Sequence, residues 1–490
     1  MGIKRYLASK DNTITNAYDS SLVLSGALSN MGASDIVEVF SLAAQVSTSS
    51  IEKTRFLMQF PVDQIITDRS AGIVPASGSA SFYLRLFNAK HGDLQAKQFK
   101  LVIAPVSASW DEGAGLDMEQ YTDIGASNWI SSSTGISWTT PGGDYLTTPR
   151  FEQTFDTGIE DMNLDITSLV EEWISGTKQN YGIGVFLTSS QENSTTTSYY
   201  TKKFFARKTE FFFKRPVLEA RFNDARRDNR GDFYYSSSLA TAQENLNTIY
   251  LYNSVRGQLR NIPSVGTGPI YVSVFSGSIV PTGSALTLVA DGTRVTAGSP
   301  TVVTGGWVST GVYSASFALT AASTPLETIF DVWHNGNLST QYFTSSITPK
   351  FLRSSATNIN EKYLTKITNM KPFYMSDETA EFRLYARKRN WQPNMYVVAS
   401  ADPEIESLPS ASYSVYRIVD DLKVISHGTG STLETLMSSD VSGNYFRLDM
   451  GLFEPDYAYA MEIAIYNENS NRWEVQPETY KFRVEKRQTE

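Results

Sequence analysis

The chain has 490 residues, a formal charge of −9 and no cysteine. The lack of thiols excludes disulfides, thiolate zinc sites, iron–sulfur clusters and cysteine nucleophiles, and the acidic balance excludes a nucleic-acid binder of the generally basic kind. Charged residues make up only 19% and aromatics 12%, with Ser, Thr, Asn and Gly filling the difference, a mixture that favours strands and turns.

The start, Met1-Gly-Ile-Lys-Arg-Tyr6, runs into polar Ala8-Ser-Lys-Asp-Asn-Thr13 with no apolar core of a secretion signal. No apolar run approaches the roughly 20 residues of a membrane helix. The expectation is a chain made in a cytosol, with no membrane partner.

Strands are predicted over 82–87 and 99–106. Asp165-Ile-Thr-Ser-Leu-Val-Glu-Glu-Trp-Ile-Ser-Gly176 then predicts a short helix. Ser168 and Glu171 have capping-box spacing, Leu169, Val170 and Trp173 share a face, and Gly176 can end the helix. Further strands are predicted over 181–188, 270–275, 312–319, 329–334 and 459–466. Phe382-Arg-Leu-Tyr-Ala-Arg387 and Tyr480-Lys-Phe-Arg-Val-Glu485 alternate apolar and polar with period two, the mark of half-buried strands. Polar, turn-rich stretches at 223–231 and about 343–360 divide the chain into 1–223, 224–350 and 351–490. No fixed-period repeat of a solenoid or propeller is present. The expected fold is all-β: tandem β-sandwiches, a jelly-roll-like domain with one short helix followed by two immunoglobulin-like sandwiches.

Within the first segment an ordered set of residues stands out. Trp110-Asp-Glu-Gly113 follows the strand at 99–106. Asn128-Trp129 and Trp138 come next, then Asp165-Ile-Thr, Trp173, Gly176 and Asn180-Tyr-Gly182. Over roughly residues 10–222 this order resembles the DNRLRE domain family, a jelly-roll-like sandwich grouped with carbohydrate-binding modules. The family's name-giving stretch, near a sheet edge, corresponds loosely to Lys53-Thr-Arg-Phe-Leu-Met-Gln-Phe60. The resemblance implies a sugar-binding ancestry. Trp110 and Trp173 read as core plugs. Trp129 and Trp138 lie in polar loops and read either as plugs or as sugar-stacking platforms. The start of the chain, its cysteine-free and Ser/Thr/Asn-rich sequence and its tandem sandwiches look like virion structural proteins of tailed bacteriophages.

Chemistry-bearing patterns are sparse. The adjacent carboxylates Asp111/Glu112, Glu171/Glu172 and Asp420/Asp421 read as solvated faces, since strand neighbours point apart. Asp111 and Glu112 could also join loop carbonyls around calcium. His91, His334 and His427 read as surface or packing residues. No Gly-x-Ser-x-Gly elbow, Walker loop or His-Glu-x-x-His helix occurs. No catalytic residue, metal site or cofactor is therefore expected. One segment reverses the charge: residues 202–230 hold ten basic side chains against four acidic, or +6, interleaved with Phe204, Phe205 and Phe211 to Phe213. It reads as an outward strand face with a polar linker, as a docking surface for an acidic protein through Arg226, Arg227 and Arg230, or, least of the three, as a single-stranded nucleic-acid platform.

The expected function is a non-enzymatic structural component of a phage virion, decorating or adapting head, neck or tail, with host-surface glycan binding as an added capacity. Its partners would be other virion proteins and further copies of itself. The alternatives are a bacterial carbohydrate-binding or adhesive protein and a virion-associated polysaccharide hydrolase.

Overall fold

A computed structural model describes residues 2–43, 47, 50–90, 96–116, 120–194, 199–288, 301–321, 323–352, 362–391, 405–408 and 410–487. His91 lies outside them. The fold is all-β, as expected, with three short α-helices among the described residues. The chain forms two compact units. The first comprises Ile3–Ser70 and Val74–Phe222, and the second is chiefly Asn223–Glu490.

The first unit is a sandwich. One sheet orders its strands Ile3–Leu7, Val217–Arg221, Ser81–Leu86 and Met162–Asp165. The other orders Tyr199–Phe205, Ile36–Ala43, Ile51–Gln59, Ile183–Leu187, Phe99–Pro105 and Phe151–Phe155, with Lys10–Thr15 also pairing to Ile51–Gln59. Phe82, Leu84, Leu86 and Leu218 from one sheet meet Val39, Phe56, Met58, Ile103 and Val185 from the other in a single apolar core. The helix Thr167–Ile174 adds Leu169, Val170 and Trp173 to that core. Its cap differs from expectation: Ile166 precedes the helix with no side-chain cap bond. Asp165 instead accepts from the Thr167 amide and hydroxyl. Glu171 leaves the capping position to take Arg69 in a two-pronged pair, which a partly buried guanidinium makes the stronger option.

The strands Phe99–Pro105 and Ile183–Leu187 are apolar along almost their whole length and buried on both faces. An antiparallel strand facing water on one side would alternate. Here the second face is covered by residues of the stretches 106–116 and 120–145. They fold back to form a smaller core of Ile14, Leu57, Val106, Trp110, Trp129 and Trp138. The stretch 53–60 is accordingly interior rather than near an edge, flanked by Ile36–Ala43, Lys10–Thr15 and Ile183–Leu187.

The second unit holds a folded six-stranded sheet: Asn247–Tyr252, Val312–Phe317, Val303–Ser309, Ile270–Ser276, Ile329–His334 and Gln341–Ile347. The strand Val303–Ser309 serves both halves. Its first residues, through Gly305, pair with Ile270–Ser276, and from Gly306 onward it pairs with Val312–Phe317. The two halves close over Ile249, Val272, Tyr313, Phe317 and Trp333. A four-stranded sheet containing Thr379–Lys388 and Gly443–Asp449 and a five-stranded sheet containing Ala411–Arg417, Ala458–Asn467 and Arg472–Glu485 make a further sandwich. Phe446 stacks on Tyr413, with centroids 4.4 Å apart, and Phe382 touches Phe482 at 6.1 Å, joining those sheets.

Within the stretch 223–231, expected as a linker, residues 226–229 are paired backbone. Arg227 bridges Ser439 in parallel. The Asp228 amide donates to the Ser439 carbonyl, and the Ser439 amide donates to that of Arg226. The Asn229 amide donates to the Thr248 carbonyl. This segment therefore ties the strand Ser438–Asp440 to the edge of the six-stranded sheet inside one unit.

Candidate functional site

The first candidate is the tryptophan lobe on the outer face of the larger sheet. Trp110 is buried, and its Nε1 donates to the Tyr181 carbonyl at 2.8 Å. Asn180 brackets the same place, donating to the Phe60 carbonyl and accepting from the Gly182 amide. Gly182 has φ +85°, and a Cβ there would lie 2.2 Å from the Met58 carbonyl oxygen. The Asn-x-Gly element is thus a tight corner locked to a tryptophan, and its residues are spent on folding.

Trp129 and Trp138 are 7% and 5% exposed. Trp138 Nε1 donates to the Asn128 carbonyl at 2.9 Å. Trp129 lies against Gly142, where φ is +94° and a Cβ would sit 2.8 Å from the ring. A sugar platform needs a ring face open to water, and both faces here are covered by protein. The sugar-stacking reading is corrected: the polar neighbours of these rings in sequence say nothing of the apolar strands beneath them.

Arg55 is the charge at the centre of this lobe. Its guanidinium lies 5.4 Å from the Trp129 ring centre, 5.6 Å from Tyr145 and 5.0 Å from Phe186. It gives Nε and Nη2 to Glu192 at 2.8 and 2.6 Å and Nη1 to the Gly142 carbonyl at 3.0 Å. The Tyr145 hydroxyl, raised to about 12 by burial, also donates to the Gly142 carbonyl. The fork and its carboxylate satisfy one another, so the arrangement is a closed ionic plug.

Of the two carboxylates read as calcium donors, Asp111 is exposed and Glu112 is engaged. Glu112 takes Arg207 through both of its oxygens and accepts from the Asp11 amide. Burial pushes the Asp11 carboxyl up to about 6. Glu172 pairs with Lys178 and Asp420 with Arg417. Among the described residues no group of three or more His, Asp or Glu side chains converges in a way that could hold a metal ion. His334 is buried, accepting at Nδ1 from the Gly336 amide and meeting Ser273 Oγ at Nε2. His427 meets Ser412 Oγ at Nδ1, while its Nε2 is buried without a hydrogen-bond partner.

The basic run crosses from one unit to the other and is mostly consumed within each. In the first unit Lys202 is fully buried, donating to Asn88 Oδ1 and to the Gly158 and Glu160 carbonyls at 2.7 to 2.8 Å. Burial lowers its ammonium to about 8. Lys203 pairs with Glu38 and Arg207 with Glu112, while Arg221, Arg5 and Arg85 surround Glu219. Burial would raise that carboxyl, and the three guanidiniums overcome it and hold Glu219 at about 2.

In the second unit Arg230 is locked between Asp228 and Asp331 at 2.8 and 2.7 Å with 9% of its side chain exposed. It cannot also reach a partner, so its docking role is corrected. Arg226 is half-buried and donates to Ser309 Oγ at 2.8 Å. Of the proposed trio, Arg227 is the exposed one. Sequence reasoning saw the charges but missed their partners, which lie far off in sequence, Glu38 for Lys203 and Asp331 for Arg230.

A cleft of about 370 Å³ in the last sandwich is lined by Lys362, Arg389, Glu474 and Glu478 among others. Among the described residues no helix is long and apolar enough to cross a membrane. No protein-family model matches the chain, and no curated protein matches it. Among solved structures it is similar to the N-terminal Ig1-2 module of the Drosophila receptor protein tyrosine phosphatase DLAR, at 9% identity over 49% of this chain and 91% of that one. The TM-score is 0.13, so the fold assignment stands on the sheets themselves.

Proposed function

We propose that this chain is a non-enzymatic structural component of a phage virion, a decoration or adaptor protein of head, neck or tail that is made in the host cytoplasm and works by contact with other virion proteins. The observation that supports this reading is where the ionisable side chains go. Arg55 with Glu192, Glu219 with Arg5 and Arg85, and Arg230 with Asp331 are all internal clamps between segments distant in sequence. Such clamps hold surfaces in register, which is what a spacer or adaptor requires. A sugar-binding role, the main alternative, loses the two rings it was built on, and a hydrolase would need a carboxylate pair free to face one cleft, whereas of the two that line the cleft of the last sandwich Glu474 is held by Asn467 and Ser470.

The test is to purify particles from an infected host, identify their proteins by mass spectrometry and locate the chain by cryo-electron microscopy. Stoichiometric presence in washed particles is the expected result. Absence from them, or release of reducing ends from host capsule or lipopolysaccharide by the purified chain, would overturn the proposal.

A further inference from the structure

Two surface patches of the first unit match one another in shape of chemistry. One is apolar and acidic. Val23 and Ile124 are 74% and 73% exposed, and Leu24, Leu28 and Leu116 are exposed beside them. They belong to two loops joined by backbone: Ser29 bridges Ile124, and the Gly125 amide donates to the Leu28 carbonyl. The first loop is held in shape by Asp19, whose Oδ1 accepts from the Val23 and Leu24 amides at 2.9 and 3.2 Å. Leu22 takes φ +58° at its tip. The apolar side chains are thus presented on preformed backbone, which lowers the ordering cost of binding. Neither 11–52 nor 101–149 contains a Lys or Arg. The charged groups of these loops are carboxylates, Asp19 and Asp123 among them.

The other patch is aromatic and basic. Phe211 is 52% exposed and packs edge-on to Phe205 at 5.4 Å. Lys214 lies over Phe87 at 5.3 Å and Arg215 over Phe212 at 6.0 Å, with Lys208 exposed nearby in sequence. The basic patch lies at the start of the strand Ile36–Ala43, and the loops reach both of its ends, since the Ala33 amide just before it donates to the Gly115 carbonyl beside Leu116. Phe205 pairs with Ile36 at its start. The Asn16 amide donates to the Lys53 carbonyl, and Lys53 pairs with Ser41 near its end.

Large exposed apolar surface marks an interaction site, and opposite charge around two such surfaces selects them for each other. We infer that the apolar, acidic loops of one copy of this chain dock on the aromatic, basic patch of a second copy. Because the two patches differ, each contact joins unlike surfaces, closing as a two-fold pair when each copy uses both patches at once and otherwise repeating into a ring or an open row. This inference does not rest on the particle reading, since it concerns the purified chain alone.

Sedimentation of the full chain should show association that strengthens with concentration and weakens in high salt. Val23→Asp with Ile124→Asp, and separately Lys208→Glu with Lys214→Glu, should each weaken it about tenfold or more. A mixture of the two variants should stop at dimers, because each retains one working patch. The cysteine-free sequence offers a second measurement that does not depend on those variants. Val23→Cys and Lys208→Cys chains, treated with a short thiol cross-linker, should join when mixed and not when alone. A chain that stays monomeric at every concentration, variants that associate like the parent, or Val23→Cys chains that cross-link to themselves would overturn the proposal.

Discussion

Arg230 closes on Asp331 with Nη2 2.7 Å from Oδ2, and that carboxylate has no exposure to solvent. Asp331 also accepts from Trp333 Nε1 at 2.8 Å. Removing one partner of a buried pair leaves the other charge uncompensated, which costs about 3–5 kcal/mol. Arg230→Ala should therefore lower the stability of the second unit by that amount in urea titration. Arg230→Met combined with Asp228→Asn and Asp331→Asn, which removes all three charges and keeps an acceptor for Trp333 Nε1, should cost much less. Equal losses in the two variants would mean that packing, and not the charge, sets the cost.

Acid should act on the two units in different ranges. Burial, with Lys423 alongside, holds His427 down at about 4. The folded state thus favours the neutral ring, and the unfolded chain takes up its proton first. That contribution is full above about pH 6.5 and is lost as pH falls toward 4. Glu219 is held at about 2 in the first unit, so its contribution is full above about pH 4.5 and is lost between there and 2. Calorimetry of His427→Gln should remove part of the pH 6.5–4 slope of the second unit's transition, since burial lowers His334 as well. Glu219→Gln should remove part of the slope of the first unit's transition below 4.5.

Trp173 sits at 3% exposure in the main core of the first unit. Trp173→Ala should cost about 3–5 kcal/mol through lost transfer energy and the cavity left behind. The first unit's calorimetric transition should drop and the second unit's should stay. An unmoved first transition would contradict the burial.

Gly184 lies under Tyr145, where an added Cβ would meet the ring at 2.0 Å. Gly184→Ala should displace Tyr145 and loosen the lid over the outer face, costing about 1–3 kcal/mol. Near-ultraviolet circular dichroism should lose signal. The parent chain's tryptophan fluorescence should not change on adding oligosaccharides, since Trp129 and Trp138 are covered.

Strand positions were legible where one face is dry and the other wet. Phe382, Leu384 and Ala386 alternate with half-buried Arg383, Tyr385 and Arg387 in sequence as in the sheet. The tryptophan lobe was not legible from its own residues, because polar loop neighbours hide what lies beneath. The usable signal lay elsewhere: Leu101-Val-Ile-Ala-Pro105 has no polar face, so something had to cover both sides. The pairing of 226–228 with Ser439 left no trace at all. A parallel contact between strands far apart in sequence imposes no local period, and the same polar, turn-rich residues suit a linker equally well.

That pairing also has a consequence in time. Arg226 and Ser438 are separated by 212 positions. At roughly 5–20 residues per second, on the order of 10–40 s of synthesis separates them. The first unit has all its described strands once Val217–Arg221 has left the ribosome. The second cannot complete its seam until Ser438–Asp440 emerges, and until then the backbone of 226–228 waits as an open edge. A ribosome stalled between these points would hold a finished first unit joined to an unfinished second, and chaperone demand should concentrate in that interval.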